Sequence, residues 1–136
     1  QDLIDQLGLN GTITLTGHKN DPDAFLLTLD AYIQPSLYEG MCLAAHEAMA
    51  IGLPVIATPV GELAHSIIRD RTGFVIGQPV EESIAAILEE IFTHPSRLEH
   101  YGRAGRALVR TKFSAENFHA AGLSVLERIR SLLTNS

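Results

Sequence analysis

Residues 38–57 read YEGMCLAAHEAMAIGLPVIA, and they decide the fold that we predict for the chain. The stretch opens as a loop that contains a glycine, and residues 42–51 then look helical up to a stop at Gly52. The run PVIA, residues 54–57, is apolar without interruption, which is typical of a parallel strand covered on both faces. A loop, a helix and a buried strand in this order indicate an α/β domain.

Strands and helices alternate on both sides of this stretch, which predicts a parallel sheet. Threonine alternates with Ile13 and Leu15, as in a half-exposed strand, and Asp21 before Pro22 is typical of a capped helix start. The predicted strands are residues 12–16, 31–34, 54–57 and 72–77. Helices are predicted around residues 3–7 and at 42–51, 62–68, 80–92 and 94–113, and a further helix is predicted to begin at Pro22. The last helix is predicted to begin at about Ser114, and its apolar stripe consists of Phe118, Gly122, Val125, Ile129 and Leu132.

Length and composition restrict the class of protein. The chain has 136 residues, which suggests one domain, and 46% hydrophobic with 19% charged residues is a globular composition. The net charge of −6 argues against nucleic acid or an anionic membrane as the main partner. No apolar run approaches the ~20 residues of a membrane span. Cys42 is the only cysteine, which fits a reducing compartment, so we expect a cytoplasmic protein.

The junction between strand 31–34 and the following helix is suited to bind an anion. In open parallel sheets, ligands bind beyond the carboxyl ends of the strands, where the loop PSLYEG, residues 35–40, is expected. The first turn of a helix leaves backbone N–H groups unpaired, and the helix dipole adds about half a positive charge. Gly40 lets a ligand approach the backbone closely, so a diphosphate fits this position.

Two carboxylates flank this predicted anion site. Glu39 precedes the helix, and Glu47 lies within it, with Leu43, Ala50 and Ile51 as helical neighbours. A carboxylate on an apolar stripe costs several kcal/mol unless it is paired, so we expect Glu47 to have an arginine or two hydroxyl groups as its partner. A ligand with hydroxyl groups on both sides of a diphosphate satisfies both acids, and a nucleotide sugar has that shape.

Three other patterns carry weaker signals. The sequence DPD at residues 21–23 has the spacing of a DxD metal motif, but a helix cap followed by proline is the better interpretation. The pair HE at residues 46–47 begins like an HExxH zinc motif, but Ala50 stands in place of the second histidine. A nucleophilic role for Cys42 has no histidine partner in the sequence pattern, so a spectator thiol is favoured. The sequence therefore predicts no metal site.

The frame PSLYEGMCLAAHEAMAIGLPVIATPVGE, residues 35–62, resembles the C-terminal, donor-binding half of the retaining GT-B glycosyltransferases, specifically family 4. The hallmark of that family is a pair of glutamates with seven residues between them, the spacing of Glu39 and Glu47. Residues 72–114 also resemble the family, so the resemblance covers essentially the whole chain. It implies a three-layer, Rossmann-like α/β fold, with helices on both faces of a parallel sheet, in one nucleotide-sugar-binding domain.

The resemblance also implies roles for individual residues. Glu39 would contact hydroxyl groups of the donor sugar and have a catalytic electrostatic role, and Glu47 would accept hydrogen bonds from ribose hydroxyls. The donor would be a nucleotide-diphosphate sugar, with no metal or other cofactor. Backbone groups of Gly40, Met41, Cys42 and Leu43 would bind the sugar and the diphosphate, and the loop of Gly17, His18 and Lys19 would lie near the nucleobase.

Two departures from the family pattern affect what we expect. Met41 and Cys42 stand where the family usually has Phe-Gly, so their Cβ atoms could crowd the backbone where it meets the donor. The family's C-terminal domain also opens with two strands and an arginine–lysine pair for the diphosphate, and neither is recognisable here. We therefore expect an N-terminally truncated chain, inactive alone, that lacks the domain for a sugar or lipid-linked acceptor.

The missing strands would leave the sheet incomplete. By resemblance its order is 3-2-1-4-5-6, with residues 12–16 as an edge strand. We expect this strand to move beside strand 31–34 or to be completed by another molecule, because exposed sheet edges invite self-association. The alternative function is a non-catalytic nucleotide-binding or assembly module derived from a glycosyltransferase.

Overall fold

The computed structural model describes residues 1–134, and strands and helices alternate as predicted from residue 32 to residue 93, whereas helices follow one another at both ends. The strands in this part of the chain are β1 Tyr32–Gln34, β2 Val55–Ala57 and β3 Phe74–Val75. The helices are α1 Asp2–Gln6, α2 Pro22–Leu26, α3 Leu43–Ile51, α4 Leu63–Ser66, α5 Val80–Thr93, α6 Ser96–Lys112 and α7 Ala115–Thr134. The Asp21 side chain accepts a hydrogen bond from the Ala24 amide at 3.0 Å, which confirms the predicted cap of α2.

The three strands form one parallel sheet in the order β1-β2-β3. In the register of the β1–β2 pair, Tyr32 lies opposite Val55 and Gln34 opposite Ala57. Every residue of the central strand β2 is buried, as the uninterrupted apolar run predicted. The carboxyl ends of the strands lie at one edge, so the loops that follow them share one end of the domain.

The side chains of β2 alternate between two apolar clusters, one on each face of the sheet. Val55 and Ala57 belong to a cluster with Met49 of α3. Ile56 points to the opposite face and belongs to a second cluster with Ile87 of α5. Because helices cover both faces, the predicted three-layer α/β fold with a parallel sheet is confirmed.

The predicted strand at residues 12–16 is wrong. This segment has no strand assignment and is exposed, with Leu15 at 62% accessibility, and the partner of β1 in the sheet is β2. The expectation that 12–16 moves beside β1 is therefore also wrong for the described residues. A strand needs a neighbour for its backbone hydrogen bonds, and an alternating pattern does not supply one. Completion of the sheet by another molecule stays a prediction.

Helix α6 crosses the end of α3 at close range because a glycine lies on each side of the contact, Gly102 within α6 and Gly52 directly after α3. A Cβ atom on Gly102 would lie 2.1 Å from the carbonyl oxygen of Gly52. Gly52 ends α3 in a left-handed conformation with φ of 90°, which favours glycine. This crossing fixes α3, the helix that follows the candidate site, against the rest of the domain.

Helix α7 forms as predicted, but its apolar stripe stays exposed. None of its residues is buried, and Phe118 is 83% accessible. Ser114 caps the helix by accepting a hydrogen bond from the Asn117 amide at 3.1 Å. Over residues 1–134, no helix combines the length and the apolar character that crossing a membrane requires.

Candidate functional site

The loop between β1 and α3 lies against the loop that follows β2. The amide of Glu62 donates to the carbonyl oxygen of Gly40 at 2.9 Å. A Cβ atom on Gly61 would lie 2.1 Å from the carbonyl oxygen of Glu39, and Gly61 has a positive φ of 53°. Only glycine permits this approach, so Gly61 determines where the Glu39–Gly40 peptide lies.

A hydrogen-bond network from β1 holds one side of the Glu39 carboxylate. Oε1 of Glu39 accepts from Ser36 Oγ at 2.7 Å and from Gln34 Nε2 at 2.9 Å. The Tyr32 hydroxyl donates to Gln34 Oε1 at 2.5 Å, which extends the network along the strand. The Cys42 thiol also lies within hydrogen-bond reach of the Glu39 side chain. The carboxylate is therefore oriented by Gln34, Ser36 and Cys42.

The charges of both predicted glutamates affect the pKa of the Tyr32 hydroxyl. Burial raises the pKa of the Tyr32 hydroxyl above its usual value, and Cys42 and the charges of Glu39 and Glu47 raise it further. Glu39 is in addition joined to this hydroxyl through the side chain of Gln34.

The sequence placed Glu47 on an apolar stripe of the helix, but in the structure this side chain lies in solvent. Its side chain is exposed on α3, and Leu43, one turn earlier, is itself 64% accessible. Neither an arginine nor a hydroxyl group among the described residues bonds to its carboxylate. Because Glu47 is solvated, it needs no internal partner and remains able to accept hydrogen bonds from a ligand.

The amides at the start of α3 are open. Those of residues 40–44 donate to no group in the described part of the chain, and Gly40 has nothing within 4 Å of a built Cβ atom. Helix α3 is nine residues long, so its amino end carries the usual partial positive charge. Glu39 and Glu47 lie before and after these amides in the chain, so the arrangement suits a ligand with an anionic centre and hydroxyl groups on both sides.

Cys42 precedes α3 in a left-handed conformation with φ of 52° and ψ of 67°. This is the position where the sequence departs from the glycine of the family pattern, and an L-residue with a Cβ atom is strained there. Burial raises the pKa of the Cys42 thiol, and the nearby charge of Glu39 raises it further, against an opposing effect of the Ala45 amide. The thiol therefore stays protonated near neutral pH, which fits the predicted spectator role.

Replacing Cys42 by glycine should stabilise the chain by about 0.5–1 kcal/mol, because relief of the left-handed strain exceeds the entropic cost of glycine. The measurement is the free energy of unfolding in urea. Cys42→Ala is the matched control, since it removes the thiol but keeps the strained Cβ atom. A glycine variant that is no more stable than the alanine variant would contradict the strain at this position.

The predicted nucleobase loop is separate from the glutamate network. Gly17, His18 and Lys19 are exposed, and the Lys19 ammonium lies 5.6 Å from the centre of the Phe25 ring. None of the hydrogen bonds around Glu39 involves this loop. Its assignment to a nucleobase stays a prediction.

Sequence reasoning missed the residues that hold the site. Tyr32 and Gln34 carry the Glu39 network, and their i, i+2 spacing on β1 was the signal that could have found them. A second network begins at the buried His46, on the turn that contains Glu47. One of its partners, Ser66, lies twenty residues along the chain, so no local pattern pointed to that contact.

The described residues hold no group of three or more His, Cys, Asp or Glu side chains that could bind a metal ion. Asp21, the first acid of the DPD sequence, uses its carboxylate to cap α2. The sequence interpretation of this acid as a cap is therefore confirmed.

Comparisons with known proteins agree on one group. A family model described as glycosyl transferases group 1 matches residues 1–108. A D-inositol 3-phosphate glycosyltransferase of Arthrobacter sp. (strain FB24) is 32% identical over 130 residues, which are 89% of this chain and 31% of that protein.

Two solved structures show the same fold over 99% of this chain. The sucrose-phosphate synthase of Thermosynechococcus elongatus superimposes with a TM-score of 0.80 at 29% identity, and this chain covers 34% of it. HepE of Anabaena, solved with UDP and glucose, superimposes with a TM-score of 0.78 at 18% identity, with 35% of it covered. The chain thus spans about a third of the length of each of these three proteins.

Proposed function

The chain belongs to the glycosyl transferases group 1 family, and we propose that it is the donor-binding part of a retaining, family 4 glycosyltransferase. The whole enzyme would transfer a sugar from a nucleotide-diphosphate donor to a sugar or lipid-linked acceptor. The acceptor would be bound by a further domain, because this chain spans about a third of its relatives. The chain by itself would therefore bind the donor without useful turnover.

The observation that carries this proposal is the set of open amides at the start of α3, preceded by the oriented carboxylate of Glu39 and followed within the helix by the exposed carboxylate of Glu47. The diphosphate would accept hydrogen bonds from the amides of residues 40–44, where the helix dipole favours an anion. Glu47, exposed on α3, would accept from the two ribose hydroxyls. Glu39 would accept from a sugar hydroxyl. Solved HepE contains UDP and glucose, which supports the same ligand class on this fold.

The same groups have electrostatic roles during transfer. As the sugar–phosphate bond breaks, negative charge grows on the diphosphate, and the amides and dipole of α3 would stabilise it. Positive charge grows on the sugar, and the Glu39 carboxylate would stabilise that charge. The Glu39 carboxylate can stabilise this charge without reorganisation, because Gln34 and Ser36 already donate hydrogen bonds to its Oε1 atom.

A non-catalytic module remains the second candidate, and one observation favours it. Cys42 places a strained side chain at the helix start, where the family pattern has glycine. Its sulfur also lies near the Ala45 amide, one of the donors of the first turn. A site that no longer binds a nucleotide sugar would tolerate such a change.

Calorimetric titration of the chain with UDP, GDP and ADP separates the two candidates. We expect binding of at least one nucleoside diphosphate, with a Kd between about 10 μM and 1 mM, which is −7 to −4 kcal/mol. The matching nucleoside without phosphate should bind far more weakly, because the amides of α3 then have no anion. Absence of binding at millimolar ligand would contradict the donor-site proposal and support the module.

A further inference from the structure

His46 is a buried polar side chain for which the proposed transfer has no direct use. It is 5% accessible and lies one residue before Glu47, on the face of α3 that points into the domain. A buried imidazole needs a partner for each ring nitrogen, and His46 has two. Nδ1 lies 3.0 Å from the carbonyl oxygen of Cys42, and Nε2 lies 3.0 Å from Ser66 Oγ.

The bond to Cys42 has a defined direction. A carbonyl oxygen can only accept, so Nδ1 of His46 carries the hydrogen and donates it. The backbone amide of His46 also donates to this carbonyl, but at 3.3 Å, which is long for such a bond. The imidazole therefore makes the shorter of the two contacts that hold the Cys42 carbonyl.

Cys42 is the residue that needs such support. Its left-handed backbone is strained, and the open amides of the helix start lie immediately on both sides of it. A carbonyl that rotated away would turn the adjoining peptide planes and their N–H groups with it. The His46 bond thus opposes relaxation of the conformation that aims these amides.

The far side of the imidazole is fixed by elements that lie distant in sequence. Ser66 Oγ is 3.1 Å from Glu62 Oε1, and Glu62 forms an ion pair with Lys112 at the end of α6. The ring of Phe113 packs edge-on against His46 with centroids 4.9 Å apart. The imidazole is therefore held between α3, α4 and the end of α6.

We propose that His46 is a positioning residue of the donor site, which holds the Cys42 carbonyl so that the first amides of α3 are preorganised for a diphosphate. This inference rests on the proposed donor-binding function. It assigns His46 no contact with the ligand. Its contribution is expected as roughly a tenfold change in affinity, the size of one hydrogen bond.

Two substitutions test the contacts of the two ring nitrogens of His46 one at a time. In His46→Asn the amide nitrogen occupies the place of Nδ1 and can still donate to Cys42, while the contact with Ser66 is lost. In His46→Gln the amide reaches towards Ser66, while the donor to Cys42 is lost. A packing role would affect both variants alike, so the comparison isolates the bond to Cys42.

The experiment measures UDP binding by calorimetry and amide hydrogen exchange without ligand. We expect His46→Asn to bind UDP within about threefold of the unmodified chain and His46→Gln to bind about tenfold more weakly. Amides of residues 41–44 should exchange faster in His46→Gln than in His46→Asn. Equal affinity and equal exchange in the two variants overturn the proposal.

Other outcomes are equally decisive. If the unmodified chain binds none of UDP, GDP and ADP, the donor site fails and the positioning role fails with it. If it binds GDP or ADP rather than UDP, that diphosphate replaces UDP as the probe. If it binds and the variants are alike, only the role of His46 is overturned. Should both variants unfold, Ser66→Ala tests the same point as His46→Asn, because it removes the contact with Nε2 and leaves the bond from Nδ1 to Cys42. Binding of UDP within about threefold, with unchanged exchange at 41–44, then supports the proposal, and a loss of tenfold or more overturns it.

Discussion

Replacing Glu47 by alanine should weaken the binding of a nucleoside diphosphate to this chain by roughly 30-fold to 150-fold. Two charge-assisted hydrogen bonds to ribose hydroxyls, at roughly 1–1.5 kcal/mol each for an exposed site, account for that range. Removal of a negative charge would by itself favour an anionic ligand. A loss of affinity therefore has the opposite sign to the general charge effect and reports direct contact. Calorimetric titration measures it.

Glu89→Ala is the matched control for this experiment. Glu89 is also an exposed helical glutamate, but it lies on α5. Its replacement therefore removes the same charge from a helix other than α3. We expect the control to bind with unchanged or slightly higher affinity. Thermal unfolding of both variants should match the unmodified chain, because both side chains are exposed. Equal affinities of the two variants would remove Glu47 from the site.

Replacing Gly61 by alanine should destabilise the chain by about 3 kcal/mol or more and reduce ligand binding with it. The new Cβ atom would lie 2.1 Å from the carbonyl oxygen of Glu39 and 2.6 Å from that of Gly40, far inside normal contact. The positive φ of 53° adds strain for any residue with a Cβ atom. Either the fold or the Glu39–Gly40 peptide must shift. Urea unfolding with UDP titration measures both.

Gly122→Ala provides the contrast. Gly122 lies within α7, has ordinary helical φ and has nothing within 4 Å of a built Cβ atom. Alanine there should leave stability unchanged or raise it by up to about 1 kcal/mol, since glycine is a poor helix former. If Gly61→Ala were as benign as Gly122→Ala, the close approach of the two loops would be wrong.

The sequence predicted the centre of the fold well because its signals there are local. The apolar run of β2 and the glycine after α3 each specify their own conformation, and Gly52 adopts the left-handed cap that such a glycine favours. Residues 12–16 show the opposite case. Their alternation has the period of a strand, but a strand also needs a neighbour with free backbone groups. The described chain supplies none at that place.

The site was predictable only in part for the same reason. Glu39 and Glu47 could be selected from their spacing, yet the exposure of Glu47 could not, because its apolar neighbour Leu43 is itself exposed. The supports of the site are tertiary. The contact of His46 with Ser66 joins residues twenty positions apart in the chain, and no local period records such a pair.

The most direct test of a diphosphate site at the start of α3 is a titration of the ¹⁵N-labelled chain with UDP, GDP and ADP in turn, followed by backbone amide chemical shifts. For the diphosphate that binds, we expect the largest shifts at residues 40–44, with smaller changes at Glu39 and Glu47. The diphosphate site is contradicted if none of the three moves an amide at millimolar concentration. It is also contradicted if the shifts are confined elsewhere, for example to the apolar groove between Ile33 of β1 and Phe92 of α5.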